Sequence, residues 1–186
     1  MLRNTADSWG AVAKLFHWLM AALIFTQFAL GWLAVSWRLS PTKLNLFVWH
    51  KSFGMLVLVL ALLRVGWRLA NPAPALPVGT PRWEHDMARA SHLLLYILII
   101  VMPLTGWMIN STANIPFRVF WLFPLPSLTG PDKELAALFK QIHFGLFLTL
   151  SGVLLLHIGA ALRHHFIKHN DILVRMLPGI SRRGTT

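Results

Sequence analysis

The sequence predicts an all-α integral membrane protein whose single membrane domain, residues 1–186, is a bundle of four transmembrane helices. Its composition favours this fold class, because 56% of the 186 residues are apolar and only 12% are charged. Ordinary soluble domains carry roughly 25% charged residues. The apolar residues are also gathered into four long segments, with basic residues at the segment ends.

The four predicted spans cover, approximately, residues 15–37, 47–69, 91–110 and 141–163. Each has about 20 residues or more, which is enough for a helix to cross ~30 Å of hydrocarbon. The first is longer than a signal-peptide core and lacks a convincing small-residue cleavage site, so we interpret it as a retained anchor. Asn71 and Pro72 mark the break after the second span.

Basic residues predict the orientation of the bundle. Eleven of the 17 lysines and arginines lie on the side that holds both termini and the connection between spans two and three. They are Arg3, Lys14, Arg64, Arg68, Arg82, Arg89, Arg163, Lys168, Arg175, Arg182 and Arg183. The positive-inside rule therefore places both termini in the cytoplasm. The remaining six belong to the other side, which carries the Pro-rich outer loop of residues 111–140 with its short amphipathic run from Asp132 to Lys140.

The chain contains no cysteine. This excludes disulfides, iron–sulfur clusters and a c-type haem, which needs a Cys-x-x-Cys-His run. The net charge is +11, but the basic residues cluster at the ends of apolar segments. Anionic membrane lipid is therefore the expected partner of this charge, and nucleic acid is not.

Four histidines lie inside or at the edge of the spans, where an unpaired polar ring is costly: His17, His50, His143 and His157. Helix one enters from the cytoplasm, so His17 lies near that face, whereas His50 and His143 begin their helices near the outer face. His157 follows His143 by 14 residues and lies about 21 Å deeper. Fourteen residues make nearly four helical turns, so both rings of span four project from almost the same side.

The matched depths predict two haem groups, since imidazole is a standard axial ligand of haem iron. We expect His50 and His143 to bind the iron of an outer haem. His17 and His157 are expected to bind the iron of an inner haem, about 20 Å away along the membrane normal. With both axial positions filled, iron has no open site for oxygen chemistry.

Three other positions fit this scheme. Gly31 follows His17 by 14 residues and would leave room for a porphyrin at the outer depth, although simple helix packing also explains a glycine there. Arg64 follows His50 by 14 residues and would reach a propionate of the inner haem, unless it only snorkels to the interface. His92 lies at the depth of His17 and is the rival ligand. A second-shell or quinone-site role is the other interpretation of His92.

Carboxylates are expected only outside the spans. The six are Asp7, Glu84, Asp86, Asp132, Glu134 and Asp171. Because many intramembrane proton relays contain carboxylates, a non-redox transporter is a weaker interpretation of the four histidines.

At these residues the chain resembles the prokaryotic cytochrome b561 family. The similarity rests on the stretches Ala13-Lys14-Leu15-Phe16-His17-Trp18, Trp49-His50-Lys51-Ser52-Phe53-Gly54, Arg64 to Pro74, Ser91-His92-Leu93, the pair His143 and His157, and the tail from His164-His165-Phe166 to Leu177-Pro178. It extends from about Val12 to Pro178. The eukaryotic ascorbate-using namesakes have six helices, so ascorbate chemistry is not implied.

The resemblance implies a four-helix, multi-pass protein of the bacterial inner membrane with two bis-histidine b haems. Members of the family look like electron carriers between the outer face and the quinone pool, and at least one is regarded as a superoxide:ubiquinone oxidoreductase. We therefore expect outer-sphere oxidation of superoxide, or of another small donor, and reduction of ubiquinone, without catalytic side chains. The alternative is a cytochrome b subunit that serves a separate dehydrogenase or hydrogenase.

Two groups of side chains would serve this reaction. Lys43, Lys51, Arg118 and Lys140 are expected around the outer haem edge, where they would steer a small anion or bind propionates and lipid phosphates. Protons for quinone reduction would come from water, Glu84, Asp86 or His92, and the sequence leaves this choice open.

Overall fold

The computed structural model describes residues 1–6, 8–75 and 79–179. Asp7, Arg182 and Arg183, which entered the sequence analysis, lie outside the described residues. In chain order the elements are α1 (Ala11–Ser36), α2 (Pro41–Ala70), α3 (Arg82–Thr112), β1 (Phe117–Val119), β2 (Phe123–Leu125), α4 (Lys133–Phe166) and α5 (Ile172–Met176).

The four long helices α1 to α4 are each apolar and long enough to cross a membrane. The predicted all-α fold class with four transmembrane helices is therefore confirmed. At most 22% of the apolar window of any of these helices is buried within the chain. The large remaining apolar surface would be costly in water and is suited to lipid.

The helices are longer than the predicted spans, and this shortens the predicted outer loop. Instead of residues 111–140, only residues 113–132 lie between α3 and α4. The amphipathic run expected over the membrane face forms the first turns of α4, because Asp132 caps that helix by accepting a hydrogen bond from the backbone N–H of Leu135 at 2.9 Å. Hydropathy marks the hydrocarbon-spanning part of a helix, whereas a cap sets its actual end.

Extensive helix contacts join α1 to α2, α2 to α3 and α3 to α4. All four helices contribute to one buried apolar cluster near mid-bundle. Its members are Met20, Leu23, Val57, Ala61, Leu98, Ile99 and Leu150. This cluster separates the two ends of the bundle, at which the polar side chains gather.

One end of the bundle, which we call the terminal end, holds the amino terminus and α5. Lys14 Nζ donates a hydrogen bond to the carbonyl of Leu177 at 2.9 Å. One turn further along α1, Trp18 Nε1 donates to the carbonyl of Met176, also at 2.9 Å. These two bonds tie the end of α5 across the first turns of α1.

The opposite end, which we call the hairpin end, carries the α1–α2 turn and residues 113–132 with the antiparallel hairpin β1–β2. The hydroxyl of buried Ser52 accepts a hydrogen bond from the backbone N–H of Phe120 at 2.7 Å. Trp107 Nε1 donates to the carbonyl of Pro126 at 2.8 Å. The hairpin is thus attached to both α2 and α3.

Candidate cofactor-binding sites

Two histidines meet at the hairpin end, and we call them the hairpin-end pair: His50 on α2 and His143 on α4. Their ring centroids are 6.4 Å apart and the ring planes make an angle of 80°. Both side chains are partly buried. The structure therefore brings together the two residues that the sequence assigned to the outer haem.

A threonine sets the orientation of the His143 ring. Thr105 Oγ1 donates its hydrogen to the carbonyl of Met102 at 2.7 Å, as helical threonines often do. Its oxygen lies 2.8 Å from His143 Nδ1 and can only accept there, because its single proton is already used. Nδ1 of a neutral His143 therefore carries the proton, which leaves the Nε2 lone pair free for a metal.

Space beside the hairpin-end pair depends on two glycines. A Cβ added to Gly31 would lie 3.1 Å from His50 Cε1, and one added to Gly106 would lie 3.5 Å from His143 Cε1. Buried Nδ1 of His50 and buried Oε1 of Gln27 have no hydrogen-bond partner among the described residues. The two glycines thus leave space beside the histidine rings, and two buried polar atoms next to this space lack a partner in the described part of the chain. Such a site is suited to a bound group.

The second pair, His17 on α1 and His157 on α4, lies at the terminal end, and we call it the terminal-end pair. Its ring centroids are 6.2 Å apart and the ring planes make an angle of 55°. Arg64 Nη2 lies 3.3 Å from His17 Nδ1. A guanidinium only donates, so in this contact Nδ1 is the acceptor and the proton of a neutral His17 is on Nε2. Binding of a metal by Nε2 therefore requires Arg64 to turn away from the ring.

The ring separations fit a metal between each pair. Two imidazoles on opposite sides of one ion have centroids roughly 6 Å apart, because a metal–nitrogen bond is about 2.0–2.1 Å and each nitrogen is about 1 Å from its ring centre. The observed separations of 6.4 and 6.2 Å match this value. His92 packs against His157 at a shorter 5.4 Å. This geometry favours His17 over His92 as the partner of His157.

The expected cationic side chains occupy different places at the hairpin end. Lys51 Nζ is held at 2.6 Å from Asn110 Oδ1 and lies 5.5 Å from the ring centre of Phe117. Arg118, the next residue of β1, is exposed. Lys51 therefore contacts β1, and Arg118 belongs to that strand.

Lys43 and Lys140 do not belong to that group. Lys43 Nζ donates to the carbonyls of Val35 and Trp37 at 3.1 and 2.9 Å, and so satisfies the carboxyl end of α1. Exposed Lys140 lines an open cavity of about 510 Å³ between α3 and α4, together with Asp132. The structure thus gives Lys43 a helix-capping contact that the sequence did not reveal.

Glu84, one of the six carboxylates expected outside the predicted spans, is buried. It lies in the first turn of α3 and is only 8% exposed. Lys168 Nζ is 2.5 and 2.6 Å from its two oxygens, and Arg163 Nη1 is 3.3 Å from one of them. The ion pairs join α3 to the end of α4. Asp86, in contrast, is exposed.

Sequence reasoning missed Thr105 and Gly106. A signal was present, since a polar and a small residue interrupt an apolar span at the depth of His143. The pattern does not reveal that they face α4, because that depends on the rotation of α3 about its axis. Tyr96, which contacts Arg64, was missed for the same reason.

Comparison with known proteins gives concordant matches. The family model described as prokaryotic cytochrome b561 matches residues 8–179. Cytochrome b561 homolog 2 of Escherichia coli (strain K12) is 33% identical over 181 residues, which are 94% of this chain and 93% of the relative. Cytochrome b561 homolog 1 of the same organism is 29% identical over 171 residues, 87% and 92% of the two chains. A protein of Yersinia pestis named probable superoxide oxidase CybB is 27% identical over 165 residues, 87% and 91% of the two chains.

Proposed function

This chain belongs to the prokaryotic cytochrome b561 family of membrane electron-transfer proteins, and from that premise we propose that it moves electrons across the bacterial inner membrane through two b haems, from superoxide to ubiquinone. The family implies haem b. The observation that supports two haems is the presence of two histidine pairs at opposite ends of the bundle, with ring centroids 6.4 and 6.2 Å apart.

The ligands follow from these pairs. His50 and His143 would hold an outer haem, and His17 and His157 an inner one. When bound, each haem would supply a one-electron couple. Thr105 holds the His143 ring in the tautomer that exposes Nε2, while Gly31 and Gly106 keep side-chain atoms away from the two rings.

The orientation follows from charge. The terminal end carries the excess of basic residues, so the positive-inside rule places it in the cytoplasm and the hairpin end on the outer face. Lys51, which contacts β1, and Arg118, which belongs to it, then lie at the outer face. A positive potential there raises the encounter rate of a small anion.

The overall reaction balances without a covalent step. Two superoxide anions each lose one electron and leave as O₂, and one ubiquinone takes up the two electrons and two protons to form ubiquinol. The name of the Yersinia pestis relative, a probable superoxide oxidase, supports superoxide as the donor. No side chain needs to form a bond to either substrate.

The first test is the haem content of the purified protein, measured by alkaline-pyridine spectra against protein mass. We expect two b haems per chain. His50→Ala and His143→Ala should each remove one haem and leave the other, whereas the control His85→Ala, at the start of α3, should retain both. Retention of both haems in the His50 and His143 variants would contradict the pairing.

The second test is the reaction. With an enzymatic source of superoxide, the wild-type protein should reduce a short-chain ubiquinone at a rate above the uncatalysed background. If superoxide fails to reduce the haems but a co-purifying dehydrogenase or hydrogenase succeeds, the protein is the cytochrome b subunit of that enzyme and the proposed donor is wrong.

A further inference from the structure

Tyr96 is the single tyrosine of the chain, and its ring contacts two arginines of α2. It follows His92 by four residues on α3, so the two side chains project from the same side of that helix. The guanidinium carbons of Arg64 and Arg68 on α2 are 5.4 and 5.7 Å from the centre of its ring. A partly buried phenol thus lies beside two cations, on the edge of the mid-bundle apolar cluster.

This group has an excess of hydrogen-bond donors. Within the described part of the chain, neither Arg64 nor Arg68 lies within ion-pair distance of a carboxylate. Trp67 follows Arg64 by three residues and so shares its side of α2. Its buried Nε1 has no partner in that same part of the chain. Both arginines lie in the last two turns of α2, where basic side chains of a membrane-spanning helix either reach the interface or face a polar partner.

Of these donors, Arg64 contacts the terminal-end pair directly. Arg64 Nη2 is 3.3 Å from His17 Nδ1, and His92 packs on His157 with ring centroids 5.4 Å apart. Glu84, the buried carboxylate in the first turn of α3, is already paired with Lys168 and Arg163. A ligand beside Tyr96 would therefore meet donors and aromatic faces, and would lie one side chain away from the haem ligands.

Among the described residues, the unpaired indole N–H and the two arginines without a carboxylate favour a ligand that offers oxygen acceptors. A ubiquinone head group has only carbonyl and methoxy oxygens, and it reaches a protein from the lipid, in which α2 and α3 lie. We propose that a quinone head group binds among Arg64, Trp67, Arg68 and Tyr96, next to the inner histidine pair. This inference rests on the proposed function for the identity of the acceptor. The carboxylates of a haem propionate share the same acceptor chemistry, so the test separates the two.

The test compares Arg68→Gln and Tyr96→Phe with the control Arg89→Gln. Arg89 is an exposed arginine on α3 at the same end of the bundle. Binding of a short-chain ubiquinone to each haem-loaded protein is measured by calorimetry in detergent, together with the haem content and the KM values for quinone and for superoxide. We expect both site variants to weaken the quinone Kd and raise the quinone KM at least tenfold. Their haem content and superoxide KM should equal those of the control.

Arg68 is exposed, so its replacement by glutamine leaves the packed interior unchanged. An unaltered quinone Kd in both variants, with wild-type turnover, would overturn the site and leave the proposed function intact. Loss of one haem with an unaltered quinone Kd would assign the donors to propionates instead. If the wild-type protein binds no quinone but is still reduced by superoxide, the proposed acceptor is wrong and the site falls with it.

Discussion

Replacement of Thr105 by valine tests whether its hydroxyl orients the His143 ring so that Nε2 can bind a metal. Valine keeps the shape of threonine but removes the oxygen that lies 2.8 Å from His143 Nδ1. The ring then loses the hydroxyl acceptor of its Nδ1 proton. Loss of such a partner of a metal-binding histidine typically lowers metal affinity 10- to 100-fold, which is about 1.4–2.8 kcal/mol. We expect a loss in this range for the haem bound by His50 and His143.

The assay is titration of haem into haem-free protein in detergent, followed by the b-type absorbance bands. The matched control is Thr112→Val. Thr112 lies on the same helix, is 2% exposed and donates to the carbonyl of Met108 at 2.8 Å, but no contact with a histidine is found for it among the described residues. Thr105→Val should weaken one of two binding phases, and Thr112→Val should weaken neither. Equal haem affinity in the two variants would refute the argument from the Thr105 hydroxyl.

Three other predictions follow from single contacts. Gly31→Ala should lower the haem content at the hairpin end because its Cβ would lie 3.1 Å from His50 Cε1. The control Gly145→Ala, whose Cβ would meet nothing within 4 Å, should leave the haem content unchanged. Equal haem spectra of the two variants would contradict this reasoning. Arg118→Gln should slow the reaction with superoxide more at low than at high ionic strength, since salt screens exposed charges, and stopped-flow rates that fall equally at both would exclude steering. Glu84→Gln should lower the Tm in detergent because it removes the buried carboxylate that pairs with Arg163 and Lys168. An unchanged melting curve would show that these ion pairs do not stabilise the fold.

Much of the architecture was predictable because hydropathy and helix rise are local properties. An apolar run of about 20 residues determines a span, and 1.5 Å per residue converts position into depth. His143 and His157 could therefore be assigned to opposite ends of one helix before any packing was known. The ends of α3 and α4 were less predictable, since Asp132 caps α4 before the apolar run begins.

Which side chains face one another required the tertiary structure. His17 and His92 are predicted at the same depth, and the sequence alone cannot choose between them as partners of His157. Our proposal of His17 rests on the ring separations of 6.2 and 5.4 Å. The contacts of Thr105 with His143, of Glu84 with Lys168 and of Arg64 with Tyr96 each join two helices. The sequence by itself determined the four spans and the depth of each histidine, because these depend on the chain's own hydropathy and helix rise. Only the tertiary structure showed which side chains of different helices face one another, because the rotation of a helix about its axis is set by packing against its neighbours.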